Sequence, residues 1–250
     1  MVHVLRRALL LGMAVAAAAL PLRRAAADQF TPAQRAEIVQ VVRDALKQDP
    51  SILRDAVAAL QADEAKRQQQ AVVDRLDQMI SPADPVGGNP SGNVTIVEFF
   101  DVRCPYCRHM EPDMAKLLAQ DHQVRLVYKD LPILGPPSIL GSRALLAAQK
   151  QDGYEKLRTL LMQAPPDITD DTIQAAAKQA GLDWTRLKQD MNDPEIQNRL
   201  NANLQLAREM GIEGTPALVV GRQYVSGAMD LPDLEKAVAA QRAKGQPAKG

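Results

Sequence analysis

Apolar positions along this chain change period several times, and each change marks an element. From residue 30 to residue 80 the period is helical. Ile38, Val41, Val42, Ala45 and Leu46 form one stripe behind Thr31-Pro32-Ala33-Gln34, where threonine is an N-cap, proline takes the first helical position and glutamine completes a capping box. Asp49-Pro50 repeats the start signal, and Ile52, Leu53, Ala56, Val57 and Leu60 form a second stripe. The run 61–70 consists of good helix formers with no apolar face, which predicts a solvent-bridging shaft. Val72, Val73, Leu76, Met79 and Ile80 resume the stripe before Ser81-Pro82 ends it. Two short amphipathic helices ahead of a polar shaft bury their stripes poorly on each other. Residues 28–80 therefore read as an arm that self-associates through residues 30–60, the alternative being that it folds back on the rest of the chain.

Residues 81–93 are rich in Pro, Gly and Asn and read as a linker. The period then shortens. Val94-Thr95-Ile96-Val97-Glu98-Phe99-Phe100 is apolar enough for a buried central strand, and Met110, Met114, Leu117 and Leu118 return to helical spacing. Val124 to Tyr128 predicts a second strand. From about residue 138 to 210 the period is helical, with stops at Gly153, Pro165-Pro166, Gly181 and Pro194, so a helical subdomain lies between strands. Ala217 to Val220 and Gln223 to Ser226, joined at Gly221-Arg222, predict a hairpin. A last helix starts near Leu231-Pro232, and residues 241–250 read as a mobile polar tail. The class is α/β, with a catalytic domain over residues 94–240.

The first residues change the picture of where this domain works. Arg6-Arg7, an apolar run of 13 residues from Ala8 to Leu20, and Ala25-Ala26-Ala27 read as an export signal (1–27) cleaved near Ala27. Removing it leaves 26 basic against 30 acidic side chains, and nothing in that balance points to nucleic acid. Export places the chain in an oxidising compartment.

In that compartment the cysteines matter. The 250 residues hold only two, Cys104 and Cys107, spaced Cys-x-x-Cys between the first strand and its helix. Cys104 falls where the helix begins, near unpaired N–H groups and the positive end of the dipole, which favours thiolate over thiol. Cys107, one turn inside, can resolve a mixed disulfide formed at Cys104. A structural bridge across so short a loop contributes only about 2 kcal/mol. A zinc site needs about four ligands and only His109 is near. Redox chemistry is the stronger reading.

The element order, Glu98-Phe99-Phe100 ahead of Cys104-Pro105-Tyr106-Cys107, and Gly214-Thr215-Pro216-Ala217 ahead of the hairpin together resemble the DsbA-like thiol:disulfide oxidoreductases over about residues 90–240. That resemblance implies a thioredoxin fold carrying a helical insertion. The arm, with Pro85-Val86-Gly87-Gly88-Asn89-Pro90 behind it, looks more like the suppressor-of-copper-sensitivity (ScsC) type, whose members include trimeric disulfide isomerases. Pro216 is then expected to be cis beside the sulfurs, with Thr215 pairing an extended substrate and Pro105 and Tyr106 also facing it. Glu98 is expected to be the buried acid that relays the proton of Cys107. Tyr106 stands where the most oxidising members carry histidine, implying a less extreme Cys104 and a less oxidising couple. The resemblance further implies a periplasmic enzyme, without cofactor or metal, that exchanges disulfides of cysteine-containing client proteins and is served by a membrane redox partner. A homo-oligomer such as a trimer, acting as isomerase or reductase, is expected. A monomeric oxidase and a Cu(I)-binding protein are the rival readings. His109 and His122 are expected at the surface and Trp184 in the core; Lys129 ends a strand, where lysines are usually solvated, the alternative being a second buried charge.

Overall fold

A computed structural model describes residues 30–245, so the leader read at 1–27 and residues 246–250 of the tail lie outside the described part. The chain divides into two compact units, up to Ala58 and from Ala59 onward.

In the first unit α1 (Pro32–Gln48) starts as the sequence dictates. Thr31 Oγ1 accepts from the Gln34 backbone at 3.3 Å, and Gln34 Oε1 accepts from the Thr31 backbone at 2.8 Å. Its stripe forms, but no side chain of α1 is buried. Next, α2 (Ser51–Asp74) begins behind Asp49, whose Oδ1 accepts from the Ser51 backbone at 3.0 Å. Ile52, Leu53 and Val57 are exposed in the same way.

The second unit holds the rest of α2, then α3 (Leu76–Met79), β1 (Val86–Gly88), β2 (Val94–Phe100), α4 (Pro105–Gln120) and β3 (Val124–Asp130). The helical insertion follows as α5 (Pro136–Gln149), α6 (Tyr154–Gln163), α7 (Asp170–Ala180), α8 (Trp184–Asp190) and α9 (Pro194–Glu209). The hairpin β4 (Ala217–Val220) and β5 (Gln223–Ser226) and helix α10 (Leu231–Ala243) close the chain. The sheet order is β1-β3-β2-β4-β5, with β2 and β3 parallel and the other pairs antiparallel.

Every residue of β2 is buried, because both faces of the sheet are covered. Val94, Ile96 and Phe100 share a core with α4, α5 and α6, whereas Val97 and Phe99 pack with Val72, Met79, Ala207 and Val219 on the other face. By that alternation Glu98 belongs to the α4 side. This is the thioredoxin fold with a helical insertion.

Several expectations are corrected. The shaft does not stand free in solvent: Gln69 Nε2 donates to Arg222 O at 2.7 Å and its Oε1 accepts from Tyr224 N at 2.9 Å, so one amide pairs with the β5 edge as a strand would. Gln68 Nε2 adds a bond to Tyr224 Oη at 3.1 Å, and Val72 and Met79 enter the core. Hydropathy cannot register an amide that docks on backbone. The 81–93 linker contains β1, where a Cβ at Gly87 would meet the tips of the Tyr128 and Glu155 side chains, so both would have to shift to admit one. That glycine gives close approach rather than slack. Lys129 is buried against Asp84 at 2.6 Å instead of solvated. The tail begins later than residue 241, since Gln241 is buried in α10 and its Oε1 accepts from Arg222 N at 3.5 Å. Trp184 is half-buried at the core's margin with Lys188 over its ring, whereas His109 and His122 are exposed as expected.

Candidate active site

Strand β2 runs into the turn Asp101-Val102-Arg103 and delivers Cys104 as the N-cap of α4, with Pro105 in the helix's first turn. The turn is fastened by the buried Asp101. Its Oδ1 accepts from Arg103 N at 2.8 Å and its Oδ2 from Ile133 N and Leu134 N at 2.9 and 3.0 Å, while its carbonyl accepts from Cys104 N at 2.9 Å. The loop after β3 is thereby tied to the cysteine turn. Cys104 keeps 4% of its surface and Cys107 none, and both are free thiols. Between them Tyr106 is 68% exposed.

Across from the turn the Thr215–Pro216 peptide is cis, immediately before β4, and the Cys104 Sγ lies 3.1 Å from Thr215 O. A carbonyl can only accept, so that contact belongs to the thiol. The thiolate instead draws on donors around it. Its pKa is lowered to about 5, first by a hydrogen bond from the Cys107 side chain, which outweighs burial, and then by the Thr215 side chain and the Cys107 and Tyr106 backbone. Cys107 moves the other way: burial pushes its thiol far up, the bond it gives to Cys104 adds to this, and the Glu98 charge adds more. The two sulfurs are thus driven apart, one toward nucleophile and one toward a held proton.

Glu98 is buried on the face of β2 that meets α4. Burial raises its carboxyl to about 7 against the pull of Arg158, with Glu111, Asp130 and Cys104 raising it further. Glu111 sits one turn after Cys107 on the same helical face, as i and i+4 positions do, and both are buried. Asp130, at the end of β3, is likewise raised to about 6 by burial and accepts from Tyr154 Oη at 2.7 Å.

All seven predicted residues, Glu98, Cys104, Pro105, Tyr106, Cys107, Thr215 and Pro216, fall in this one region around the start of α4. Sequence reasoning missed Asp101, Glu111 and Arg158. Arg158 carried a signal: it occupies the buried stripe of α6 with Tyr154, Leu157, Leu161 and Met162, a cation where the helical period demands an apolar side chain. Among the described residues no group of three or more His, Cys, Asp or Glu side chains is placed to hold a metal ion, and no helix is long and apolar enough to cross a membrane.

The fold and this dithiol site together define a DsbA-like thiol:disulfide oxidoreductase domain. Residues 95–239 match the family described as DSBA-like thioredoxin domain, and the chain belongs to that family; residues 34–71 match the copper resistance protein ScsC N-terminal domain. A thioredoxin-like oxidoreductase from Silicibacter pomeroyi is 39% identical, with a TM-score of 0.64 over 66% of this chain and 95% of that one. Proteus mirabilis ScsC in a transitional conformation is 34% identical, with a TM-score of 0.64 over 86% of this chain and 98% of that one. A curated relative, Na(+)/H(+) antiporter NhaA 3 of Salinispora tropica, is 28% identical over 169 residues, which are 65% of this chain but only 26% of the antiporter. The chain thus spans about a quarter of that relative's length.

Proposed function

We propose that the protein is an exported, periplasmic thiol:disulfide oxidoreductase that exchanges disulfides of client proteins, working as an isomerase or reductase in an assembly of several copies. The Cys104 thiolate, flanked by Thr215–Pro216, carries this reading. It attacks one sulfur of a client disulfide, forming a Cys104–client bond while the other client sulfur leaves as thiolate. Cys107 gives its proton to Glu98 and attacks Cys104 Sγ; the internal disulfide forms and the second client thiolate leaves, so two electrons pass to the client. In isomerisation a client thiol attacks the mixed disulfide instead, and no net electrons move. Thr215 pairs with the client backbone beside Pro216, and Pro105, Tyr106 and the exposed Ile133 and Leu134 give that strand apolar contact. A membrane redox partner resets the pair.

Direction is supported by two features. Tyr106 supplies no cation between the cysteines to hold the thiolate further, fitting a couple less oxidising than one with histidine there. The wholly exposed stripes of residues 30–60 suit self-association, and several copies on one client raise the effective concentration of catalytic thiols.

Recovery of scrambled ribonuclease tests this reading. The truncation is made at residue 58, because Val72 and Met79 belong to the catalytic core. The mature chain is expected to restore activity at least about tenfold faster than the truncated chain, from the loss of effective concentration. Rapid oxidation of reduced ribonuclease by both forms, with no unscrambling by either, would instead identify a monomer-competent oxidase.

A further inference from the structure

Under the cysteine pair lies a cation that the exchange steps above do not use. Arg158 enters from α6 of the insertion and is 2% exposed. Its guanidinium lies 4.6 Å from the Phe100 ring centroid and 4.5 Å from that of Tyr128, two rings that meet edge to face at 71°. Nη2 donates to Glu98 Oε2 at 2.9 Å, Nη1 donates to Glu111 Oε2, and Nε has no hydrogen-bond partner among the described residues. Its two arms reach one carboxylate from β2 and one from α4.

Other charged and titratable groups meet this site from each packed element. From β3 come Tyr128 and Asp130, from α4 Cys104, Cys107 and Glu111, and from α6 Tyr154 and Glu155, which accepts from Tyr128 Oη at 3.1 Å. Arg199 of α9 acts on Asp130. Among the described residues Arg158 is the one cation that touches both Glu98 and Glu111. One cation thus meets two buried carboxylates, one from β2 and one from α4.

We propose that Arg158 is a positioning residue for the resolving step: by clamping Glu98 to Glu111 it holds the Glu98 carboxyl in place to take the Cys107 proton and offsets part of the cost of its burial, and so sets the pH at which Cys107 attacks. This deepens the exchange mechanism above and rests on its assignment of Glu98 as proton acceptor. The proton leaves Cys107 Sγ for a Glu98 oxygen, the Cys107–Cys104 bond forms, and the client sulfur departs as a thiolate with the electron pair of the broken bond; Glu98 then returns the proton to water.

The reaction of the reduced full chain with 5,5′-dithiobis(2-nitrobenzoate), followed by stopped flow across pH, separates the steps. The first release of thionitrobenzoate reports attack by Cys104, and the second reports attack by Cys107 on the mixed disulfide. In Arg158→Met the second phase is expected to move its inflection up by about 1–3 pH units, as removal of an adjacent opposite charge does, while the first phase keeps its pH profile. Arg158→Lys restores most of the shift. Glu111→Gln, which frees the guanidinium for Glu98 alone, moves the inflection the opposite way and serves if Arg158→Met does not fold. Inflections unmoved in Arg158→Met or Glu111→Gln, alongside a second phase that Glu98→Gln slows and renders insensitive to pH, would overturn the role of Arg158 and leave the proton relay standing. A second phase unaltered by Glu98→Gln would overturn the relay, and the clamp with it.

Discussion

A Cys107→Ser chain is expected to accumulate a stable covalent adduct with its client, and a Cys104→Ser chain to lose exchange by at least about a thousand-fold. The asymmetry follows from how differently the structure treats two identical side chains. Cys104 receives hydrogen bonds as an anion and sits at the open end of α4, so it makes the first bond. Cys107 is fully buried and its proton is held by desolvation, so it reacts only with the sulfur beside it. Serine at 107 leaves the first attack intact and removes the only internal route of release. Serine at 104 removes the nucleophile, and Cys107 cannot replace it, because a client would have to reach a sulfur with no exposed surface. Non-reducing electrophoresis of each variant with a disulfide-containing client distinguishes the two. Adducts formed equally by both variants would mean that burial does not rank the sulfurs.

The second large effect is on stability. Asp101→Ala is expected to destabilise the reduced protein by on the order of 3 kcal/mol, lowering Tm by about 6–12 °C. The carboxylate accepts three backbone N–H bonds within 3.0 Å, and alanine leaves all three donors without it. Ile133 and Leu134 are part-exposed, so water recovers some of the loss, which keeps the figure below the sum of three fully buried orphans. Arg103 still braces the turn through bonds from its side chain to Leu134 O and Pro166 O, at 2.6 and 3.0 Å. The fold should therefore survive, while the cysteine turn loosens from the loop after β3. Urea unfolding monitored by circular dichroism measures this, and a change below about 0.5 kcal/mol would show that these bonds contribute nothing beyond an ordinary surface contact.

What was legible in the sequence was whatever depends on local periodicity or on the spacing of rare residues. The capping box at Thr31, the buried strand at Val94 to Phe100, the hairpin and the dithiol at the head of α4 all announce themselves within a few residues. The cis bond at Thr215–Pro216 needed the resemblance, since most strand-leading prolines are trans. What stayed hidden depends on distant parts of the chain meeting. Gln69 and Tyr224 are 155 positions apart, and nothing in a glutamine-rich run says that one amide will cap a sheet edge. Lys129 alternates with apolar neighbours as a solvated residue would, and only the return of Asp84 makes its burial affordable. Arg158 reaches Glu98 across 60 positions, so the polar floor of the site is a product of the insertion packing under the cysteines.

The claim on which all of this rests is that Cys104 is the thiolate that begins exchange. Mass spectrometry of the reduced full chain after brief iodoacetamide pulses between about pH 3 and 9 measures it most directly, since only a thiolate alkylates at an appreciable rate. A lowered pKa means that the anion persists as pH falls, until protons compete at the folded value. Labelling is expected on Cys104 alone, constant above about pH 6 and half-maximal near pH 5. A midpoint near the ordinary thiol value of about 8.5, or label on Cys107, would contradict the account.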